Sequence, residues 1–159
     1  MLHINVICVG KIKESFFRDA ILEYSKRLSR FCNLTITELQ DEKIPEKASK
    51  KIEQEIKEKE GQNIISHIKK DSYVIALDLT GKELDSVALS QKIENLSISN
   101  SSITFIIGGS LGLSNQVLKY CNEKLCFSKM TFPHQLIRIF LLEQIYRAFK
   151  IANNETYHK

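Results

Sequence analysis

The sequence predicts an α/β fold built on a mostly parallel sheet with helices on both faces. Short apolar segments alternate with amphipathic segments along the whole chain, as in repeated β-α units. The 159 residues, 43% hydrophobic and 26% charged, suffice for one domain with a real core, so we expect 1–159 to be a single domain. Two apolar stretches open directly into irregular loops, which is typical of a ligand crevice in such folds.

The N-terminal half supplies three strands and two helices. Strands are expected at 3–9, 33–39 and 72–79. The first helix, 14–30, has apolar residues three and four apart, among them Phe17, Ile21 and Tyr24. The second helix runs from about 46 to 68, where pairs such as Glu53–Lys57 and Glu55–Lys59 support an exposed helix. A turn at Thr80–Gly81 follows the third strand.

The C-terminal half continues the alternation. A short helix is expected at 86–96, a strand at 103–107 and a strand at 124–127. Ser114 can cap a helix that runs to about Tyr120. Pro133 suits the first turn of a last helix, which runs to about 152, because proline has no N–H to leave unpaired there.

The last helix is apolar around more than half of its circumference. Its apolar residues are Leu136, Ile137, Phe140, Leu141, Ile145 and Phe149. A helix that is apolar on two sides needs two partners. One is the sheet, and the other is either a second subunit or a thicker core of the same chain.

Charge and cysteine content narrow the cellular setting. The net charge of +4 is compatible with a polyanionic partner without proving one. The four cysteines have no accompanying ligands at zinc spacing, so we expect structural free thiols and no metal site. No stretch approaches the roughly 20 apolar residues of a membrane span, and the N-terminus does not resemble a signal peptide. We therefore expect a cytoplasmic protein.

The glycine cluster Gly108-Gly109-Ser110-Leu111-Gly112 follows the strand at 103–107. Its order does not match the dinucleotide fingerprint G-x-G-x-x-G, and no Gly-Lys-Ser/Thr follows it, which argues against an oxidoreductase or a P-loop enzyme. Glycines let a backbone approach a ligand closely. The alternative is a plain tight turn.

The loop FSKMTFPHQ follows the last strand. Its free backbone groups can bond the edge of a heterocycle, and Phe127, Met130 and Phe132 can form apolar walls. A loop that only packs against the core is the alternative. His134 and Arg138 lie one turn apart beyond it; they can contact phosphate, although a structural pair is the more ordinary interpretation.

Several motifs together give this chain a resemblance to a known family. VIALDLTGK, FIIGGSLGL, LCFSKMTFPHQLIRIFLLEQIYRAFKI and the terminal ETYHK extend it over essentially the whole chain. The chain resembles the small SPOUT methyltransferases that methylate N3 of a pseudouridine in bacterial large-subunit ribosomal RNA. Cys126, just before the loop, is a small departure from the usual pattern.

The resemblance implies a C-terminal trefoil knot, a homodimer, S-adenosyl-L-methionine as methyl donor, no metal, and the ribosome as substrate. It assigns the donor site to Leu77, Gly108, Phe127, Ser128, Lys129, Met130, Thr131 and Phe132. His158 is then the candidate for removing the ring proton or orienting the base, with Tyr157 positioning or stacking on it. The tail that carries them can serve the partner subunit's site.

A small, mildly basic protein has little surface for discriminating among RNAs, so we expect the assembled ribosome to be needed. Lys11, Lys13, Arg18, Arg27 and Arg30 are the expected phosphate contacts. A non-catalytic RNA-binding module, or a related enzyme acting on transfer RNA, would share some of these features. The first would not bind the donor, and only the whole-chain resemblance argues against the second.

Overall fold

The computed structural model describes all residues, 1–159. Five strands and five helices alternate along the chain. The strands are β1 (His3–Val9), β2 (Asn33–Leu39), β3 (Tyr73–Glu83), β4 (Ser102–Ile107) and β5 (Glu123–Cys126). The helices are α1 (Ser15–Leu28), α2 (Lys50–Ser66), α3 (Ser86–Ser99), α4 (Asn115–Tyr120) and α5 (His134–Ala152).

The strands form one sheet in the order β2-β1-β4-β3-β5, and every pair in it is parallel. Helix α5 contacts both α1 and α3 on one face, while α2 and α4 contact each other on the opposite face. Parallel strands need such crossovers, which place helices over both faces. The predicted α/β architecture is therefore confirmed.

Successive side chains of a strand alternate between the two faces, and this divides the core in two. In β1, Ile4, Val6 and Cys8 join the larger cluster under α1, α3 and α5. Ile7 and Val9 join the smaller cluster under α2 and α4. Burial on both faces explains why β1 and β4 read as nearly continuous apolar runs.

The second helix begins later than predicted. Pro45 precedes a turn, and α2 starts at Lys50 because the side chain of Ser49 caps it, accepting from the Ile52 amide at 3.3 Å. The expected Glu–Lys pairs along α2 are absent from the ion pairs of the structure, and Lys59 instead lies 3.5 Å from Glu42. The pattern thus predicted the helix correctly and its ion pairs wrongly.

The prediction that the third strand ends near Thr80–Gly81 was wrong, because β3 continues to Glu83. It pairs with β5 as far as Leu77, shifts register, and pairs with Leu125 again at Lys82. A Cβ on Gly81 would lie 2.7 Å from main-chain atoms of Leu125. The strand therefore bows outward at 78–81 and returns at a position where only glycine fits.

Helix α5 lies across the sheet in contact with α1 and α3, and most of its apolar surface is covered by this chain. Leu141, Leu142 and Ile145 are fully buried, and Phe149 stacks on Phe31 with ring centroids 5.5 Å apart. Phe140 remains 38% exposed. Neither α5 nor any other helix is long and apolar enough to cross a bilayer.

All four cysteines are free thiols, and three of them are buried. Burial raises the pKa of Cys8 and of Cys32 to about 12, partly offset at Cys8 by the nearby Arg138 guanidinium. These thiols therefore stay protonated at neutral pH and pack as small apolar groups.

Candidate active site

The carboxyl ends of three adjacent strands meet at one edge of the sheet. Leu77 of β3 is in register with Ile107 of β4 and with Leu125 of β5. The loops after β4 and β5, together with the outward-bowed part of β3, line a cavity of about 430 Å³. We call it the first cavity. Its size falls within the range of small-molecule sites, roughly 300 to 1,000 Å³.

The glycine cluster after β4 forms one wall of the first cavity. The Gly112 amide donates to the Gly109 carbonyl at 3.0 Å, and Gly112 adopts the left-handed conformation with φ of +80°. A Cβ on Gly108 would lie 3.0 Å from the Gly112 carbonyl carbon. The cluster is therefore a tight turn, as the plainer interpretation held, and it also lines the cavity.

The loop after β5 forms the facing wall. The Cys126 thiol donates to the Ser128 carbonyl at 3.0 Å, and the Met130 amide donates to the Ser128 hydroxyl at 3.0 Å. Phe132 packs edge-on against Phe140 with centroids 5.4 Å apart. Met130 is 73% exposed, so this loop is not merely core packing.

Seven of the eight residues predicted to bind the donor line the first cavity. They are Leu77, Gly108, Phe127, Ser128, Met130, Thr131 and Phe132. Lys129 is the exception, since it does not line the cavity although both of its neighbours do. The structure thus brings the predicted group together from β3 and from the loops after β4 and β5, and its role as a donor site remains a prediction.

Sequence reasoning missed Lys57 and Asp78, which also line the cavity. The spacing of Glu53 and Lys57 predicts an ion pair between them, yet Lys57 forms no ion pair in the structure. Asp78 accepts a hydrogen bond from the Thr80 amide at 3.0 Å, which shapes the outward bow of β3. An acidic residue directly after a buried strand was the available signal for Asp78.

A buried arginine fixes the start of α5 beside this edge of the sheet. Arg138 is 2% exposed and donates to Glu38 at 2.7 Å and to the Gly10 carbonyl at 2.6 Å. It thereby ties α5 to the ends of β2 and β1. The prediction that Arg138 has a structural role is therefore correct, but Arg138 pairs with Glu38 and not with His134.

His134 lies between the first cavity and a polar one of about 370 Å³, which we call the third cavity. Burial lowers the pKa of His134, and the positive charge of Arg138 lowers it further against a smaller opposing effect of Asp41. The imidazole is therefore neutral at pH 7 and can accept or donate a hydrogen bond.

A buried carboxylate lies beneath the glycine turn. Glu60 is 8% exposed and accepts from the Glu42 amide at 2.9 Å. A Cβ on Gly109 would lie 3.5 Å from Glu60 Oε1. Burial raises the pKa of Glu60, the hydrogen bond from Glu42 lowers it, and the charge of Asp41 raises it again.

A second cavity, of about 530 Å³, shares Leu125, Phe127, Ser128 and Phe132 with the first. Its other walls come from the start of α3, from α5 and from His158. The two predicted tail residues therefore do not meet the first cavity within one chain, because His158 lines only the second and Tyr157 lines neither.

The tail is held against α5 by polar contacts. The Tyr157 hydroxyl donates to Glu143 at 2.7 Å, and the Arg147 guanidinium lies 4.6 Å from the Tyr157 ring centroid. Arg147 Nη1 lies 3.2 Å from His158 Nδ1. Burial and the acceptor Glu143 raise the pKa of Tyr157 to about 12, so its hydroxyl stays protonated.

The family follows from a comparison over the whole chain. The family model described as "Predicted SPOUT methyltransferase" matches residues 2–158. The chain belongs to the SPOUT methyltransferase family. The cavity that its loops enclose is thus the candidate methyl-donor site of a methyltransferase.

Named relatives within this family agree with the resemblance. "Ribosomal RNA large subunit methyltransferase H 1" of Clostridium perfringens strain SM101 is 60% identical over 159 residues, covering 99% of this chain and 100% of the relative. The Clostridium acetobutylicum protein named "Ribosomal RNA large subunit methyltransferase H" is 59% identical with the same coverage. The predicted resemblance is confirmed.

A solved structure gives a more distant comparison. A probable methylase family protein from Haemophilus influenzae Rd KW20 matches 98% of this chain and 70% of its own, with a TM-score of 0.54 and 14% identity. At that identity the likeness concerns the fold alone.

Proposed function

We propose that this protein is an S-adenosyl-L-methionine-dependent methyltransferase that methylates N3 of a pseudouridine in large-subunit ribosomal RNA. It acts on the assembled ribosome, in the cytoplasm, as a homodimer of single-domain subunits whose C-terminal part is knotted. The observation that carries the proposal is a cavity of donor size in a chain 60% identical, over its full length, to large-subunit methyltransferases.

The walls of the first cavity fit the parts of the donor. Phe127, Met130 and Phe132 offer apolar surface to an adenine, and the turns beside it expose backbone groups for its polar edge. Lys57 is the cationic group that can pair with the donor's carboxylate, and Asp78 can take its ammonium group. When bound, the donor supplies an activated methyl group on a sulfonium, which needs no metal.

The protein's own task is to fix the target nitrogen in line with that methyl group and to let the ring proton leave. A guanidinium only donates hydrogen bonds, so the contact from Arg147 makes His158 Nδ1 an acceptor. A neutral imidazole then carries its proton on Nε2. In this arrangement His158 offers an N–H to a base carbonyl, which favours base orientation over proton removal.

The tail completes the site of the other subunit. Within one chain His158 lines the second cavity and not the first, while Phe140, Leu79 and Met130 leave apolar surface exposed around both cavities. A second copy seated there would cover that surface and bring its own Tyr157 and His158 to the donor. Dimerisation would then be required for activity and not only for stability.

The rival functions differ in what they bind. An RNA-binding module would lack donor affinity, and the first cavity speaks against it because a platform for RNA does not need a concave pocket of donor size. An enzyme acting on transfer RNA would bind the donor equally well. The experiment must therefore measure donor binding and substrate choice separately.

The test combines calorimetry with labelled methyl transfer. We expect the protein to bind S-adenosyl-L-methionine with a measurable heat and to label ribosomes that lack the modification, with the label mapping to one pseudouridine of the large-subunit RNA. Naked ribosomal RNA should be labelled far less.

Ser110→Trp is the variant designed to block the first cavity. Ser110 is exposed at the tip of the turn, and a bulky ring there fills the cavity without disturbing the core. It should fold normally and lose the binding heat. Absence of donor binding by folded, dimeric wild-type protein would exclude the proposal, and labelling of transfer RNA in preference to ribosomes would favour the rival enzyme.

A further inference from the structure

Five basic residues near the N-terminus are expected to contact phosphate, and the structure divides them into two groups. Arg27 pairs with Glu23 at 3.0 Å, and Arg30 pairs with Glu155 at 2.9 Å. Lys11, Lys13 and Arg18 form no ion pair with any carboxylate. Only the cations of the second group have no carboxylate partner, so a phosphate can bind them without breaking an ion pair.

An exposed aromatic residue lies between Lys13 and Arg18 in the sequence. Phe16, in the first turn of α1, is 63% exposed, although α1 buries Leu28 and packs Ile21 and Tyr24 against the core. Its ring contacts Phe17 with centroids 4.4 Å apart. A large apolar side chain among free cations suits a nucleic acid, whose bases stack on aromatic rings while its phosphates bind cations.

The backbone that carries this group is held in place. Ile12 is buried and its amide donates to Glu38 at 2.8 Å, so the lysines on either side of it project into solvent. Arg18 Nη2 donates to the Lys13 carbonyl at 3.1 Å and ties the loop to α1. A preorganised surface loses little entropy on binding.

The same group borders the candidate active site. Lys11 and Lys13 line the third cavity together with His134, and His134 also lines the first cavity. The acidic neighbours Glu14 and Asp41 line the third cavity as well, and neither pairs with these lysines. Lys11 and Lys13 thus share a cavity with a residue that also lines the first cavity.

We propose that Lys11, Lys13, Phe16 and Arg18, here called the Phe16 patch, bind an unpaired segment of the substrate RNA next to the target nucleotide. Phe16 stacks on a base while the three cations contact the adjoining phosphates. This inference rests on the proposed function, since it assigns the RNA-binding surface of the same site.

The test compares variants on the same helix. Phe16→Ala should raise the KM for ribosomes about tenfold, within the range for loss of one base–aromatic stack, while kcat and donor affinity stay unchanged. Phe16→Trp should restore the wild-type KM. Leu22→Ala is the matched control, because Leu22 is also exposed, at 67%, and lies about 9 Å further along α1 than Phe16; it should change nothing.

The charge half of the patch is tested by salt dependence. Arg18→Gln should reduce the slope of log KM against the logarithm of the salt concentration by about 0.7 to 0.9, which is the change expected for the loss of one phosphate contact. Arg27→Gln, on the same helix but already paired with Glu23, should leave the slope unchanged.

Two results would overturn the inference while leaving the proposed function intact. One is a Phe16→Ala variant with wild-type KM, and the other is a Phe16→Ala variant that becomes monomeric, which would make Phe16 a subunit contact. Wild-type protein that binds no donor and labels no ribosomes would instead remove the proposed function and this inference with it.

Discussion

Single residues decide how the sheet edge is assembled, and Arg138 is the clearest case. Its guanidinium joins Glu38 of β2 to the carbonyls of Val9 and Gly10 at the end of β1. Arg138→Met should lower the free energy of unfolding by about 3 kcal/mol, the lower end for a broken buried ion pair, because Glu38 is partly solvated. Urea unfolding measures this.

The matched comparison at the same contact is Glu38→Gln. The amide oxygen of glutamine can still accept from Arg138 and from the Ile12 amide, so the expected loss is only about 1 kcal/mol. An Arg138→Met variant as stable as the wild type would mean that Arg138 acts through packing alone, since methionine keeps the apolar bulk of the side chain but none of these polar contacts.

The sequence identified Arg138 as structural but could not identify its partner. One hundred residues separate Arg138 from Glu38, and only the side-by-side placement of β1 and β2 brings them together. The same holds for Lys57, whose local spacing suggested a pair with Glu53 and whose tertiary position is at the first cavity. Local periodicity carries no information on such contacts.

At the scale of elements, β3 shows where strand patterns fail. The apolar run of β3 ends with Leu79, and a polar stretch with a glycine follows, which predicts a turn. In the structure the chain bows outward and then rejoins β5. The strand segments themselves were predictable from their apolar runs, whereas the return of β3 depends on a backbone contact made by another strand.

The close approach of β3 to β5 where the two strands pair again leads to a prediction for Gly81. Gly81→Ala would place a Cβ 2.7 Å from the backbone of Lys124 and Leu125, which cannot move without shifting β5. We expect a loss of stability of about 2 kcal/mol, typical of overpacking, and weaker donor binding because β5 leads into the loop at 127–132. Thermal unfolding and calorimetry with S-adenosyl-L-methionine measure the two effects.

Gly112→Ala is the comparison, since nothing lies within 4 Å of its added Cβ and its cost comes only from the left-handed conformation. That cost should be about 1 kcal/mol. If Gly81→Ala were the milder of the two variants, the close approach of β3 to β5 would not matter for the fold.

At the scale of the whole molecule, the parallel arrangement places two loops and the bowed part of β3, all distant in sequence, around one cavity. The sequence indicated both loops, because each follows an apolar run and has unusual composition. It did not indicate their adjacency, which follows from the order β4-β3-β5. The resemblance to a known family assigned residues from separate segments to one donor site, which local patterns alone could not do.

The whole-molecule prediction concerns which subunit's tail serves which cavity. We expect His158→Ala and Ser110→Trp each to abolish methyl transfer, the first by removing the tail imidazole and the second by filling the first cavity. In a mixed dimer, the protomer with the intact cavity receives the intact tail of its partner. Mixing the two inactive variants with subunit exchange should therefore restore roughly a quarter of wild-type activity, because half of the dimers are mixed and each has one complete site.

A tail that served its own chain's cavity would give the opposite result. Each mixed dimer would then hold one cavity without its imidazole and one cavity without its donor, and the mixture would stay inactive. Mixing Ser110→Trp with a Ser110→Trp/His158→Ala double variant controls for the exchange procedure, since no combination in that mixture has an intact first cavity. Labelled methyl transfer to ribosomes, measured before and after exchange, therefore decides between a site built within one subunit and a site shared by two.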